Sequence, residues 1–457
     1  MSAVDAPTIA KQGDSQGTRS RRAQIAIGAT LIVLLMFTTC TVFVQQAWAL
    51  QSFQIGIYAL VAVYLMAGIR RDKINWARSW TAWLVYLIPL WGVIQISAQT
   101  TASTFETREA VLRWGALAGV FFLTQVVGRD QAARHVMLHA FLFFAVAMAV
   151  LCLTQLFASE GKVLWLFSSG YPDVYATFPN HNNYAEAIEV ALPIAAWWAL
   201  RRGWHAWGYA LAAGVLYASA IGAASRAGAI LCTAELLVLL GFALFASLRR
   251  QAGWSLASTA AVFALLLVLA AVFTFAVGWQ QIGQRFQQRD PFEGRREFLV
   301  AAIAMAEHRP LMGFGLDTFP EVYPRFAIAD LDVYANHAHN DWAEFAADGG
   351  VPFMLLVLIP FAAAVPAAIR HPWGLGLIAV MLHACVDYPF PRPAVSAWMF
   401  VMLALLYMAQ AADRRRLPAS ATPAHADTAQ VLEFRRDPGN SVRTNLSALR
   451  GRFDLDR

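Results

Sequence analysis

The densest chemical signal in the sequence is the run Asn336-His337-Ala338-His339-Asn340-Asp341-Trp342, followed by Glu344, Asp348 and the pair Gly349-Gly350. Histidine is the side chain best suited to taking a proton from an attacking hydroxyl near neutral pH. Asn340 reads as the N-cap of a short helix that runs to the double glycine. His339 directly precedes that cap, which favours it over His337 as the base, with His337 kept as the alternative. A His-x-His pair also offers two zinc ligands. No third ligand lies at a recognised spacing, so neither a metal nor another cofactor is expected.

A second set is cationic. Arg285, Arg289, Arg295, Arg296, Arg309 and Arg325 precede the histidines, and Ser225-Arg226 interrupts two apolar blocks. Any one of these arginines reads as a solvated charge, or in the case of Arg226 as a snorkelling anchor. Together they suit an anionic ligand, because the planar guanidinium binds phosphate oxygens bidentately. Phe292 to His308 reads as a helix with Arg295 and Leu299 one turn apart. Laid on a bilayer, it would bury Leu299 and hold Arg295 at the level of the lipid phosphates. Pro310 and Gly313-Phe314-Gly315 then end it, as a turn more readily than as a phosphate loop.

A third set consists of Asn180-His181-Asn182-Asn183 with Glu186 and Glu189, of which Asn182, Glu186 and Glu189 share a helix face. They line either an aqueous cavity or a helix-packing network. In both cases they should face the bundle interior, since facing lipid costs several kcal/mol. His383 and Asp387, spaced i and i+4, are expected to pair with each other.

The elements that must position these groups are membrane helices. The chain has 457 residues, 58% hydrophobic and 14% charged, with a formal charge of +6. The basic residues sit at the ends of apolar blocks and form no nucleic-acid-binding face, so no nucleic acid is expected. The blocks suffice to cross a hydrocarbon core of about 30 Å as helices. They lie at 24–44, up to about 69, 80–97, 111–128, 136–157, 183–200, 207–224, 227–248, 254–277, 350–369, 374–388 and 395–411.

Arg19, Arg21 and Arg22 hold the N-terminus in the cytoplasm. Clusters at Arg70/Arg71/Lys73, Arg129/Arg134, Arg201/Arg202, Arg249/Arg250, Arg370 and Arg414–Arg416 mark every second loop as cytoplasmic. The expectation is an all-α polytopic membrane protein of about 12 transmembrane helices. Its parts are a cytoplasmic segment 1–22, nine helices over 23–277, a long outer loop 278–349, three helices over 350–411 and a cytoplasmic tail 412–457. Ala47-Trp48-Ala49 resembles a signal-peptide cleavage site, but the preceding apolar run is too long for a signal h-region and reads as an anchor. Cys40, Cys152, Cys232 and Cys385 are expected to be packing residues.

In this order and on this topology, the motifs resemble the O-antigen ligase and polymerase superfamily of bacterial surface-polysaccharide assembly. The resemblance rests on Ser225-Arg226, Arg295-x-x-x-Leu299, the Pro310 to Gly315 turn, and His337-Ala338-His339-Asn340 before Gly349-Gly350, with Phe178 to Asn183 similar to the medium loop of some members. It implies a GT-C-like bundle with a long periplasmic loop, in a bacterial inner membrane. It further implies a metal-independent glycosyltransferase whose donor is a glycan on undecaprenyl diphosphate. The acceptor would be lipid A-core for a ligase or another lipid-linked glycan for a polymerase.

Arg226 and Arg295, with the neighbouring Arg296, would bind the diphosphate, and His337 or His339 would activate the acceptor. Asn340, Asn182, Glu186 and Glu189 would line the acceptor cavity. A transporter of lipid-linked sugars is the reading from another class, and a scaffold without catalysis is a third.

Overall fold

The computed structural model describes residues 8–69, 79–168, 173–201, 205–249, 255–273, 275, 294–329, 332 and 334–416, with side chains from Gln24 onward. It divides into residues 1–414 and residues 415–457. The first unit is described here.

Every apolar block of the sequence is helical. The first nine helices are α1 (Thr8–Cys40), α2 (Ala47–Ile69), α3 (Trp80–Ser97), α4 (Thr104–Val127), α5 (Gln131–Ala158), α6 (His181–Ala199), α7 (Ala206–Gly222), α8 (Arg226–Leu248) and α9 (Leu256–Phe273). After them come α10 (Arg295–His308), the short α11 (Phe319–Val322), α12 (Asp341–Arg370), α13 (Leu375–His383) and α14 (Pro393–Arg416). Among the described residues, seven helices are long and apolar enough to cross a membrane, namely α2, α3, α4, α5, α8, α12 and α14. Four shorter apolar helices accompany them. The protein is an all-α, multi-pass membrane protein. Between α5 and α6 a two-stranded antiparallel ribbon, β1 (Lys162–Val163) and β2 (Phe167–Ser168), adds a feature that the sequence did not announce.

Helix starts coincide with polar breaks between the blocks. Ser103 Oγ accepts from Glu106 N at 3.4 Å, Asn180 Oδ1 from Asn182 N at 2.8 Å, Ser225 Oγ from Gly228 N at 3.1 Å and Asn340 Oδ1 from Ala343 N at 3.0 Å. Each cap satisfies a backbone N–H that a helix start would otherwise leave open. Two boundaries differ from expectation. α1 begins at Thr8, inside the polar segment, because no proline follows Pro7 before the span and Ala, Lys, Gln and Arg are good helix formers. The block expected over 374–388 ends as a helix at His383, ahead of Pro389, Pro391 and Pro393, and residues 384–392 run irregularly.

The last helix is the axis of the bundle, with 83% of its apolar span buried against 22% for α2. Around it Trp114 of α4 packs on Phe345, Phe353, Phe390 and Phe400, at centroid separations from 5.7 to 6.2 Å. Large apolar side chains such as Val63, Leu87, Phe143, Leu237 and Val268 remain exposed on the outer helix faces. Such a belt is solvated by lipid tails rather than water.

A smaller core holds the long loop together. Phe298, Ala301, Ala302 and Met305 of α10 pack with Phe314, Phe319, Val322, Tyr323, Ala338 and Ala347. The protein-facing side of α10 is therefore that of Phe298, while Val300 and Ile303 are exposed and Leu299 is half-buried. The four cysteines are free, as expected. Cys385, however, lies exposed in the irregular stretch instead of packing.

Candidate active site

Two histidines, Arg295 and a row of carboxylates meet where the starts of α6, α10 and α12 approach residues 383–392. Backbone bonds hold the histidine segment in place. Asp341 N donates to Ala384 O at 2.9 Å, Asn340 Nδ2 to Cys385 O at 2.7 Å, and Phe390 N to Asp341 Oδ2 at 3.1 Å. Asn340 is thus a cap and a tether, consistent with the expected helix start.

Asp387 is the hub. Its carboxylate is fully buried; Oδ1 accepts from His339 Nδ1 at 3.2 Å and from Tyr388 N at 3.1 Å. Oδ2 accepts a hydrogen bond from Asn182 Nδ2 and lies 3.5 Å from Arg295 Nη2. Arg295 also donates through Nη1 to Val386 O at 3.0 Å. Burial pushes the Asp387 carboxyl up, but the His339 hydrogen bond and the Arg295 charge outweigh it and hold the group down at about 2. A carboxylate accepts only, so His339 presents Nδ1–H to Asp387 and leaves Nε2 as the atom able to take a proton. The side chain of His339 is 23% exposed, so that atom is reachable.

His337 has a similar arrangement. Its Nδ1 lies 2.8 Å from Glu344 Oε1, while Glu344 Oε2 accepts from Ala338 N at 2.6 Å. Tyr388 separates the two imidazoles, stacked on His337 at 4.4 Å and edge-on to His339 at 4.8 Å. Phe298 of α10 stacks on His339 from another side at 6.2 Å.

The expected partnership of His383 with Asp387 does not form. Asp387 N does reach His383 O at 3.0 Å, but its carboxylate is taken up by His339, Asn182 and Arg295. His383 Nδ1 instead lies 2.7 Å from Glu189 Oε1. Asn182, Glu186 and Glu189 all face the interior, with Asn183 Nδ2 donating to Glu186 Oε2 at 2.9 Å. Glu186 Oε1, Glu189 Oε2 and His383 Nε2 have no hydrogen-bond partner. The last two lie about two turns inside α6 and at the end of α13, so the polar network reaches well into the bundle. By donor type and spacing, Glu186, His383 and Asp387 are the group able to hold a cation, their ligand atoms lying within 4.8 Å of one another.

Arg226 opens α8. Behind it Gly228 backs on Ala185 of α6, where an added Cβ would meet the Ala185 methyl at 2.5 Å, so Arg226 is held beside the turn that carries Asn182. Arg296 is exposed at the start of α10. Arg285 and Arg289 fall outside the described residues.

The two glycine motifs of the sequence prove to be a single contact. Gly313 has φ +62° and lies against Asp348; Gly350 has φ +76° and lies against Leu311. Gly315 N donates to Asp348 O at 2.8 Å and Val351 N to Pro310 O at 2.8 Å. Gln95 of α3, wholly buried, completes the joint. Its Nε2 donates to Met312 O at 2.5 Å and to Asp348 O at 2.8 Å, and its Oε1 accepts from Leu316 N at 3.1 Å. The Gly313 to Gly315 stretch is thus a turn that locks the loop to the bundle.

Sequence reasoning named Asp387 and Glu344 without finding the part that either plays, and missed Tyr388 and Gln95. Asp387 carried a signal, since a carboxylate beside Tyr388 and three prolines marks a span end, but its partners are remote in sequence.

Residues 211–358 match the family model described as O-Antigen ligase. The matched stretch runs from α7 into α12 and contains Arg226, Arg295, both histidines and both glycine motifs. No curated protein matches the chain.

Proposed function

We propose that the chain, whose residues 211–358 match the O-Antigen ligase family model, transfers a glycan from undecaprenyl diphosphate to a lipid A-core sugar hydroxyl at the periplasmic face of a bacterial inner membrane. The observation that carries this reading is the single carboxylate, Asp387, shared by a histidine and an arginine. Glycosyl transfer from a diphosphate needs a base on the acceptor and positive charge on the leaving group. Both are present on one anchor.

In the proposed step His339 Nε2 takes the proton of the acceptor hydroxyl as its oxygen attacks the anomeric carbon. The bond from that carbon to the diphosphate oxygen breaks, and the electron pair leaves with the diphosphate. Arg295 and Arg226 receive that charge, with Arg296 at the exposed edge. Asp387 holds Nδ1–H and stabilises the imidazolium that forms. General-base help of this kind is worth about 10²- to 10⁴-fold. No step is routed through a metal. The alternation of basic loops supports cytoplasmic termini and a periplasmic site.

Transfer assays with purified protein, lipid-linked glycan and lipid A-core test the reading. Transfer that disappears in His339→Ala and in Arg295→Ala is expected. Undiminished transfer by both variants would overturn the mechanism, and elongation of a second lipid-linked repeat in place of lipid A-core would make the enzyme a polymerase.

A further inference from the structure

A cavity of about 530 Å³ opens at the same end of the bundle. Its wall is formed by the α1–α2 connection (Thr41 to Gln46), the start of α6 (Asn180, His181, Asn183) and the entry to α14, with Tyr388 and Arg392. Tyr388 is common to this cavity and to the two imidazoles, at 4.4 Å from His337 and 4.8 Å from His339. Anything held in the cavity therefore lies one aromatic ring away from the base.

The lining discriminates between ligand classes. A lipid tail would call for a wholly apolar sleeve; this wall mixes apolar residues such as Val42 and Leu50 with Gln45, Gln46, Asn180 and Asn183. A diphosphate would call for clustered cations, and Arg392 is the one arginine in the wall. Side-chain amides present a donor and an acceptor together, which matches sugar hydroxyls, since each hydroxyl both donates and accepts; the exposed Gln45 and Gln46 offer both, while Asn180 and Asn183 already bond to Tyr388 and Glu186. Tyr388, Phe178 and Phe43 add flat apolar faces suited to the C–H face of a pyranose. The volume falls in the range of about 300–1,000 Å³ typical of small-molecule sites.

We propose that this cavity is the acceptor-glycan subsite. It binds the non-reacting sugar residues of the acceptor and delivers the reacting hydroxyl past the edge of Tyr388 to His339 Nε2. The donor diphosphate stays with Arg295 and Arg226 on the other side of that ring. Asn180 Nδ2 donates to the Tyr388 hydroxyl at 3.2 Å and the Arg392 guanidinium sits 5.2 Å over its ring, so the subsite also fixes the ring that separates the two substrates. This inference rests on the glycosyltransferase reading.

Gln46 is exposed at the rim and touches none of the reacting groups, so Gln46→Trp narrows the cavity without burdening the fold. In full-length protein the expected result is a tenfold or larger rise in acceptor KM, with donor KM and kcat within about twofold of wild type. Arg392→Ala should also raise acceptor KM, with a fall in kcat beside it because the guanidinium braces the Tyr388 ring against His339. Unchanged acceptor KM in both variants, or a rise in donor KM instead, would overturn the subsite while leaving the function standing.

A second readout needs no transfer. Deacylated core oligosaccharide is titrated into the wild type and into Gln46→Trp without donor, followed by native mass spectrometry. Binding lost in the variant upholds the subsite even if no transfer is seen. Equal binding, or none to wild type, sinks it.

Discussion

Asp387 meets His339 Nδ1 with one oxygen at 3.2 Å and Arg295 Nη2 with the other at 3.5 Å, so one buried carboxylate sets the positions of a base and a cation together. The two groups come from different elements, the segment before α12 and the first residue of α10. Their separation is governed by a residue on a third.

The first prediction follows from that sharing. His339→Ala should lower kcat by about 10²- to 10⁴-fold with little change in either KM. Asp387→Asn should also lower kcat, because an amide no longer compels Nδ1 to carry the proton and no longer balances Arg295. Steady-state kinetics on variants whose size-exclusion profiles match wild type check both. A fall in kcat for His337→Ala larger than for His339→Ala would reverse their roles.

The second concerns Arg295. It makes a bond to Val386 O and an ion pair to Asp387, a fork that a lysine cannot reproduce. Arg295→Lys is expected to lose about 10-fold or more in kcat/KM for the lipid-linked donor, and Arg295→Ala more. Initial rates at varied donor concentration decide it.

The third is a pH dependence. The folded Asp387 carboxyl sits at about 2, below its unfolded value of about 3.9. A depressed carboxyl contributes stability that is present in full above the unfolded value and is lost as pH falls through the folded one. Thermal unfolding of wild type and Asp387→Asn should therefore differ most above about pH 4 and converge as pH approaches 2. A gap that stays constant across that window would show that the charge of Asp387 is not what stabilises the site.

The fourth concerns the joint between loop and bundle. Gly350 has φ +76° and ψ 169°, a region open essentially to glycine alone, and an added Cβ would stand 2.5 Å from the Leu311 carbonyl carbon. Gly350→Ala should cost at least about 1–3 kcal/mol and lower the melting temperature in detergent. Gln95→Leu should be comparably damaging, since it strips three backbone partners from a buried joint. Fluorescence-detected melting measures both.

What was legible in the sequence is what local pattern encodes. Apolar blocks and caps gave the helices and the Asn340 cap gave the start of α12, while the double glycine, expected to end that helix, marks a kink inside it. The inward face of Asn182, Glu186 and Glu189 followed from the cost of placing carboxylates in lipid. The Asp387 hub did not follow, because its ligands come from residues 182, 295 and 339, and no periodicity relates them. The pairing of His383 with Glu189 was hidden for the same reason, and remote partners of Asp387 displaced the simpler pairing. The cavity behind Tyr388 is likewise assembled from three remote stretches.

The joint of Gln95, Gly313 and Gly350 also bears on how such loops are exchanged between chains. Every bond that the Gln95 side chain makes runs to a backbone atom of the loop or of α12, so it reads shape and ignores side-chain identity. A chimera that imports a foreign loop can therefore vary its substrate-facing residues freely. It must keep the glycine pair and the glutamine as one inherited unit.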